Sequence, residues 1–332
     1  PLTDHQPDLS YVEAASKSIG ENLIKGQIVI LESTTYPGTT IEIVQPILEN
    51  VSNLKAGEDF LLGYSPERID PGNKEWTFKN TPKIVSGINK KSLEKISKFY
   101  KSIIDEVVQV SGTREAEMVK LIENTYRQVN IAMVNELAIL SNMLDIDIWE
   151  VVEAAKTKPF GFQSFRPGPG VGGHCIPIDP KYLSFKTRQI GQPVRFVELA
   201  QEINNSMPNY VVARISELMN KKEILLKNSK ILILGVAYKK DIGDTRESPA
   251  IDIMESLLEK SVELSFYDPH VDELVFNKNS ISKEENLENL SSYDLILIHT
   301  PHSEFHEINF ESVTSLIFDS TGSFEISDAE RI

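Results

Sequence analysis

The stretch "QIVILESTTYPGTTIEIVQPILEN", residues 27–50, decides the fold class. Residues 27–34 are a short apolar run that ends in polar residues, the pattern of a buried strand. Residues 39–50 then carry apolar positions at helical spacing. The turn between them holds Thr34 at the strand's carboxyl end. The same alternation continues outward. A helix is expected over 10–25, with Ser10 as cap and Glu13 completing a capping box. Further strands are expected at 60–68, 83–87 and 106–110, and a helix at 91–103. Strands alternating with helices predict a parallel, doubly wound sheet.

The last third repeats the pattern. Strands are expected at 230–239, 262–270, 293–302 and 315–321. A helix over 248–260 has Ser248 as cap and Pro249 at its first position. Between the two α/β parts, residues 114–145 hold no Gly or Pro and keep helical periodicity throughout. This predicts one long, largely buried helix. More helical sequence follows at 147–156. Another helix should cover 196–221, interrupted or restarted near Pro208, and one should start at Pro180 with Asp179 as N-cap. The fold class is α/β, two Rossmann-like parallel-sheet domains joined by a long central helix. Domain bounds are expected at 1–112, 113–222 and 223–332.

Composition narrows the function. The net charge of -15 disfavours nucleic acid and anionic membrane as partners. A single cysteine among 332 residues makes no intrachain disulfide, which points to a reducing, cytoplasmic setting. No apolar run reaches the length of a membrane span. The opening "PLTDHQPDLS" has neither the basic start nor the apolar stretch of a signal peptide.

That one cysteine sits in "RPGPGVGGHCIPIDP", residues 166–180. Free cysteines are commonly small buried hydrophobes. Here Gly168, Gly170, Gly172 and Gly173 let the backbone approach a ligand closely. The helix expected from Pro180 turns its positive end toward the thiol and favours thiolate. Cys175 is therefore read as a nucleophile. Asp179 is either a plain cap, an orienting carboxylate beside the thiol, or both. Lys120 and Asn124 lie four apart on one face of the long helix and suit an oxyanion site, the alternative being a solvated face. Thr34 and Glu67 follow two strands; each is ordinary turn chemistry unless Glu67 acts as base for a hydrolytic water. "HTPHSEFH", 299–306, invites a zinc reading, but no fourth ligand is evident, and no metal is expected.

"ESTTYPGTT", "SPERIDPG", "KLIENTYRQVNIAMVNEL", "PGPGVGGHCIPIDP" and "GVAYKKDIGDTRESPA" together resemble the UDP-glucose/GDP-mannose dehydrogenase family, in its order and over essentially the whole chain. "TKPFGF" followed by the glycine-rich loop is most similar to the UDP-N-acetylglucosamine 6-dehydrogenases of surface-polysaccharide synthesis. The resemblance implies an NAD-dependent, four-electron oxidation of the sugar's C6 hydroxyl. Cys175 would be the nucleophile, with Lys120 and Asn124 on the oxyanion, Asp179 in proton transfer, and Thr34 and Glu67 on water. Gly168, Gly170, Val171, Gly172 and Lys239 would hold the UDP-sugar. Arg166 either reaches substrate across a subunit boundary or is solvated. Thr34, Glu67, Cys175 and Arg246 would face the cofactor NAD. UDP-N-acetylmannosamine or UDP-glucose as substrate, or a non-catalytic UDP-sugar-binding fragment, are the alternatives.

Two further expectations follow. The central helix carries more apolar positions than one domain face needs, so part of it should pack on its twin in a homodimer. Family members open with a strand and a G-x-G-x-x-G turn, which this sequence lacks. The first mononucleotide-binding half of the N-terminal domain is thus expected to be missing, and the chain by itself to be inactive.

Overall fold

The computed structural model describes residues 2–332 except 4, 5, 71, 72, 174, 175 and 278. Cys175 is among the exceptions and lies outside the described residues. The chain divides into two compact units, Pro1–Tyr126 with Ile178–Val197, and Arg127–Pro177 with Glu198–Ile332.

In the first unit a short antiparallel pair, β1 (Leu2–Thr3) and β2 (Gln6–Pro7), precedes α1 (Ser10–Asn22). Then come β3 (Ile28–Leu31), α2 (Gln45–Ser52), β4 (Leu61–Tyr64), β5 (Lys83–Val85), α3 (Lys90–Lys101) and β6 (Val107–Gln109). β3 runs parallel to β4 and β5 parallel to β6. Ser86 and Ile88 donate their backbone N–H groups to Tyr64 O and Leu62 O, which joins the two pairs side by side. Val44, Leu48, Phe60 and Leu62 are buried between α2 and this sheet. The expected helix over 39–50 begins instead as a π-helical turn, Thr40–Val44, before α2.

α4 (Thr113–Met143) leaves the first unit and continues into the second. α5 (Ile148–Lys156) follows, capped by Asp147, whose Oδ1 accepts from Trp149 N–H and Glu150 N–H. α6 (Asp179–Gln189) returns to the first unit. α7 (Arg195–Lys221), β7 (Lys230–Leu234), α8 (Pro249–Glu259) and β8 (Glu263–Tyr267) come next. β9 (Val275–Phe276), β10 (Asn279–Ser280), β11 (Ser282–Lys283), β12 (Leu295–Ile298), β13 (Leu316–Asp319) and β14 (Glu330–Arg331) complete the chain. Among the described residues the second unit holds one six-stranded sheet, ordered β11-β8-β7-β12-β13-β14, with every neighbour parallel. β12 and, after the exposed Lys230, β7 are apolar and buried, as central parallel strands must be when helices cover both faces. The reversal between β7 and β12 is a switch point, where ligands of such sheets bind beyond the strands' carboxyl ends.

Four expectations need correction. Ser10 does not cap α1; it is the first helical residue, and Asp8 Oδ1 takes its N–H at 2.9 Å. A carboxylate suits the positive helix end better than a hydroxyl. Asp179 does not cap α6 either but begins it, and its carboxylate is drawn elsewhere. α7 passes unbroken through Pro208. The carbonyl that Pro208 leaves without its helical donor, Asn204 O, lies beside the loop at Gly170. Finally, α4 is not largely buried: Met133, Leu137 and Leu140 are each between 43% and 49% exposed.

Candidate active site

α4 brings three polar residues to one face in the first unit: Glu117, Lys120 and Asn124, spaced by three and four. Asn124 Nδ2 donates to Asp179 Oδ2 at the start of α6. Leu121, Tyr182 and Leu183 form the apolar floor beneath that pair. Asp179 is only 4% exposed. Burial pushes its carboxyl up to about 6, against the pull of the Lys120 charge and the Asn124 hydrogen bond. A carboxyl poised near neutrality is what a general base needs. Lys120, Asn124 and Asp179 are thus brought together.

The turn carrying Thr34 is tied to the same helix. Glu117, fully buried, accepts from Gly38 N–H at 2.6 Å, Thr40 N–H at 2.8 Å and the Thr40 hydroxyl at 2.6 Å. Burial raises its carboxyl, although these three donors act to lower it. Thr34 itself is half-buried past the end of β3.

Glu67 stands past the end of β4, with Oε1 accepting from Ile69 N–H at 2.7 Å. The ammonium of Lys83, whose side chain is 6% exposed, is 3.7 Å from Glu67 Oε2 and 2.8 Å from Glu32 Oε1. The next residue, Arg68, is locked by an ion pair to Glu123 at 2.7 Å and a hydrogen bond to Pro82 O at 2.6 Å. The "PER" turn is therefore fixed against α4 one residue before Asn124.

In the second unit the glycine loop has its own anchors. Gly168 N–H donates to Asn135 Oδ1 at 2.9 Å. Asn135 Nδ2 donates to Asn204 Oδ1 at 3.0 Å, and Asn204 Nδ2 to Gln128 O at 3.2 Å. Both asparagines are buried. Gly173 N–H donates to Arg246 O at 3.2 Å, with Gly173 at φ +92°. A Cβ on Gly172 would lie 2.7 Å from Glu247 O, and one on Gly173 would lie 2.7 Å from the Tyr238 ring. The glycines are needed for packing against the segment 238–247, not only for a ligand. Val171 is half-buried within the loop, and Lys239 is half-buried in the segment after β7.

Arg166 and Arg246 each meet a carboxylate. Arg166 pairs with Glu153 at 2.7 Å, and Arg246 forks onto Asp244, with Nη2 to Oδ2 at 2.6 Å. Sequence reading missed Glu117, Lys83, Asn135 and Asn204. Glu117 left a signal, one turn before Lys120 on the same face of α4. The two asparagines left one too, as amides in the interior of long helices.

Residues 1–104 match the NAD binding domain of the UDP-glucose/GDP-mannose dehydrogenase family, 114–206 its central domain, and 232–326 its UDP binding domain. Along one chain these define an NAD-dependent dehydrogenase of UDP-sugars. A UDP-N-acetyl-D-glucosamine 6-dehydrogenase of Pseudomonas aeruginosa is 39% identical over 95% of this chain and 75% of its own length. A UDP-N-acetyl-D-mannosamine dehydrogenase of Pyrococcus horikoshii is 36% identical over 94% of this chain and 72% of its own. The solved structure of the UDP-D-ManNAc dehydrogenase from Pyrococcus horikoshii covers 100% of this chain, with 78% of its own covered, at TM-score 0.90 and 33% identity. The chain belongs to the UDP-glucose/GDP-mannose dehydrogenase family. Among the described residues, no helix is long and apolar enough to cross a membrane.

The residues present fit NAD. The parallel strands β3 and β4 end side by side, and past their ends stand Thr34 and Glu67. Thr35 Oγ1 and the Tyr64 hydroxyl are buried there and find no partner among the described residues. Such orphaned polar atoms call for a polar ligand.

Proposed function

We propose that this enzyme oxidises the C6 hydroxyl of UDP-N-acetylglucosamine to the uronic acid in two successive steps, supplying a surface-polysaccharide precursor in the cytoplasm. The observation that carries the reading is the Lys120–Asn124–Asp179 cluster, with the Asp179 carboxyl poised at about 6. Thr34 and Glu67 would hold NAD from the strand ends, and the resemblance adds Cys175 and Arg246 to the residues that contact it. The chemistry NAD supplies when bound is hydride acceptance.

Asp179, ionised above its raised pKa, takes the hydroxyl proton as the first oxidation proceeds. The Cys175 thiolate, four residues ahead of Asp179 in the chain, adds to the aldehyde carbon and forms a thiohemiacetal. Lys120 and the free N–H of the Asn124 amide steady the negative oxygen. A second oxidation leaves a thioester. Water, deprotonated by Glu67, attacks it; the tetrahedral intermediate expels thiolate and releases the acid. Gly168, Gly170, Val171 and Gly172 offer backbone groups to the UDP-sugar, Lys239 supplies its cation to the diphosphate, and Arg166 reaches substrate across a subunit boundary.

UDP-N-acetylmannosamine is the second reading, favoured by the relative and the solved structure from Pyrococcus horikoshii. Turnover of a panel of UDP-sugars decides it, with NADH formed at two per sugar; a preference for the manno epimer would replace the first reading. The working division is into NAD-binding residues 1–112, central residues 113–222 and UDP-sugar-binding residues 223–332. A homodimer would form through the outward face of α4. Met133, Leu137 and Leu140 recur on that face and are exposed. Light scattering that shows a monomer at micromolar concentration removes the dimer.

A further inference from the structure

The segment "HTPHSEFH" takes no part in the reaction above. His302 within it is fully buried. Its Nδ1 lies 2.9 Å from the backbone N–H of Asp241, which can only donate. Nδ1 therefore carries the lone pair and Nε2 the proton. That proton points to Asp268 Oδ2 at 3.0 Å. Asp268, also fully buried, accepts in addition from Val236 N–H at 2.8 Å, Ala237 N–H at 3.2 Å and His270 N–H at 2.8 Å. Asp241 reciprocates, its carboxylate accepting from Ser303 N–H and the Ser303 hydroxyl, both at 2.8 Å.

Asp241, His270 and Glu304 surround His302, their ligand atoms all within 4.8 Å of one another. A cation would need a lone pair from His302, and both of its nitrogens are committed. His270 Nε2 is itself 3.2 Å from Glu304 Oε1. The cluster is a brace, not a metal centre.

What it braces is the segment 236–241. Asp268 grips the front of this segment and His302 with Ser303 grips its end. Lys239 lies between the two grips, and the Tyr238 ring underlies Gly172 and Gly173. We propose that His302 and Asp268 are positioning residues for nucleotide-sugar binding, holding Lys239 and, through Tyr238, the Gly172–Gly173 backbone in the receiving geometry. This rests on the assignment of Lys239 to the UDP-sugar.

The test compares His302→Ala, His302→Gln and Leu257→Ala in the full chain. Leu257 is a fully buried core residue of α8, so its truncation controls for lost stability. The readouts are UDP affinity by calorimetry, tryptic cleavage after Lys239 and Lys240, and KM separately from kcat. His302→Ala should weaken UDP binding about tenfold, quicken cleavage at that pair similarly, and raise KM more than it lowers kcat. His302→Gln, whose amide N–H reaches toward Asp268, should recover part of the affinity. Leu257→Ala should leave UDP affinity unchanged. Equal behaviour of His302→Ala and Leu257→Ala in affinity and cleavage overturns the proposal. If Lys239→Ala binds UDP as tightly as the parent, the reading of Lys239 falls; faster cleavage after Lys240 in His302→Ala still upholds the brace.

Discussion

Replacing Asp179 by Asn should make the protein more stable at neutral pH while disabling it. Burial raises this carboxyl from 3.8 to about 6, and neither Lys120 nor Asn124 fully offsets it. A carboxyl with a folded pKa above its unfolded one holds its proton more tightly in the folded state. Its contribution to folding is therefore most favourable below 3.8 and is lost as pH rises through about 6. At 1.36 kcal/mol per pH unit, the gap between 3.8 and about 6 costs the folded state about 3 kcal/mol once the carboxylate is ionised. Asn carries no charge at any of these pH values and keeps an oxygen for Asn124 Nδ2. Urea unfolding of both proteins at pH 8, 6 and 4 measures the difference. Asp179→Asn should be more stable by up to about 3 kcal/mol at pH 8, slightly less at pH 6, and by only about 0.5 kcal/mol near pH 4. Turnover should fall by about 100- to 10,000-fold, the usual contribution of a general base. A stability difference that does not change with pH, or a variant less stable at pH 8, refutes the argument that the folded protein bears the cost of a buried carboxylate here.

Cys175→Ala should stop at about one NADH per sugar and release aldehyde, because an aldehyde has no hydride to give until a nucleophile adds. Product analysis showing the acid at the parent rate would remove the thiol from the mechanism. Lys120→Ala should slow both oxidations, by roughly 100- to 1000-fold as for other oxyanion donors, in single-turnover kinetics. Gly173→Ala meets the Tyr238 ring and a positive φ together, so it should cost about 1–3 kcal/mol and raise KM for UDP-sugar. An unchanged KM and melting temperature would show that the loop is free to move off Tyr238.

The fold was legible because its signals are local and repeated. β12 and, after Lys230, β7 are unbroken apolar runs bounded by polar turns, and Ser248 with Pro249 opens α8 as expected, the serine accepting from Ala250 N–H. Lys120 and Asn124 were legible because four-residue spacing on a helix is spatial information. The misreadings came from competition among neighbours. Asp8 takes the helix end that Ser10 could have taken. Asp179 is drawn to Asn124, 55 residues away in sequence. Pro208 does not break α7, whose long buried face outweighs one missing hydrogen bond. Arg166 meets Glu153 across a turn of chain that periodicity says nothing about. Glu117 and the Asp268–His302 pair act on distant backbone, and such partners carry no spacing rule.

The two buried asparagines between α4 and α7 have a consequence for how the second unit finds its alignment. Around them the contact is greasy: Val134, Ala138, Met207 and Val211 would repack against near neighbours if one helix slid by a turn. Asn135 and Asn204 would not. Slippage parts their shared hydrogen bond and strands amide groups in an apolar seam, at roughly 1–3 kcal/mol for each group left unmade. The pair thus works as an index mark, permitting one registration of the helices and penalising its neighbours. A seam of Leu and Val in its place would hold as firmly and align less faithfully, and Gly168, which hangs from Asn135, would inherit the error.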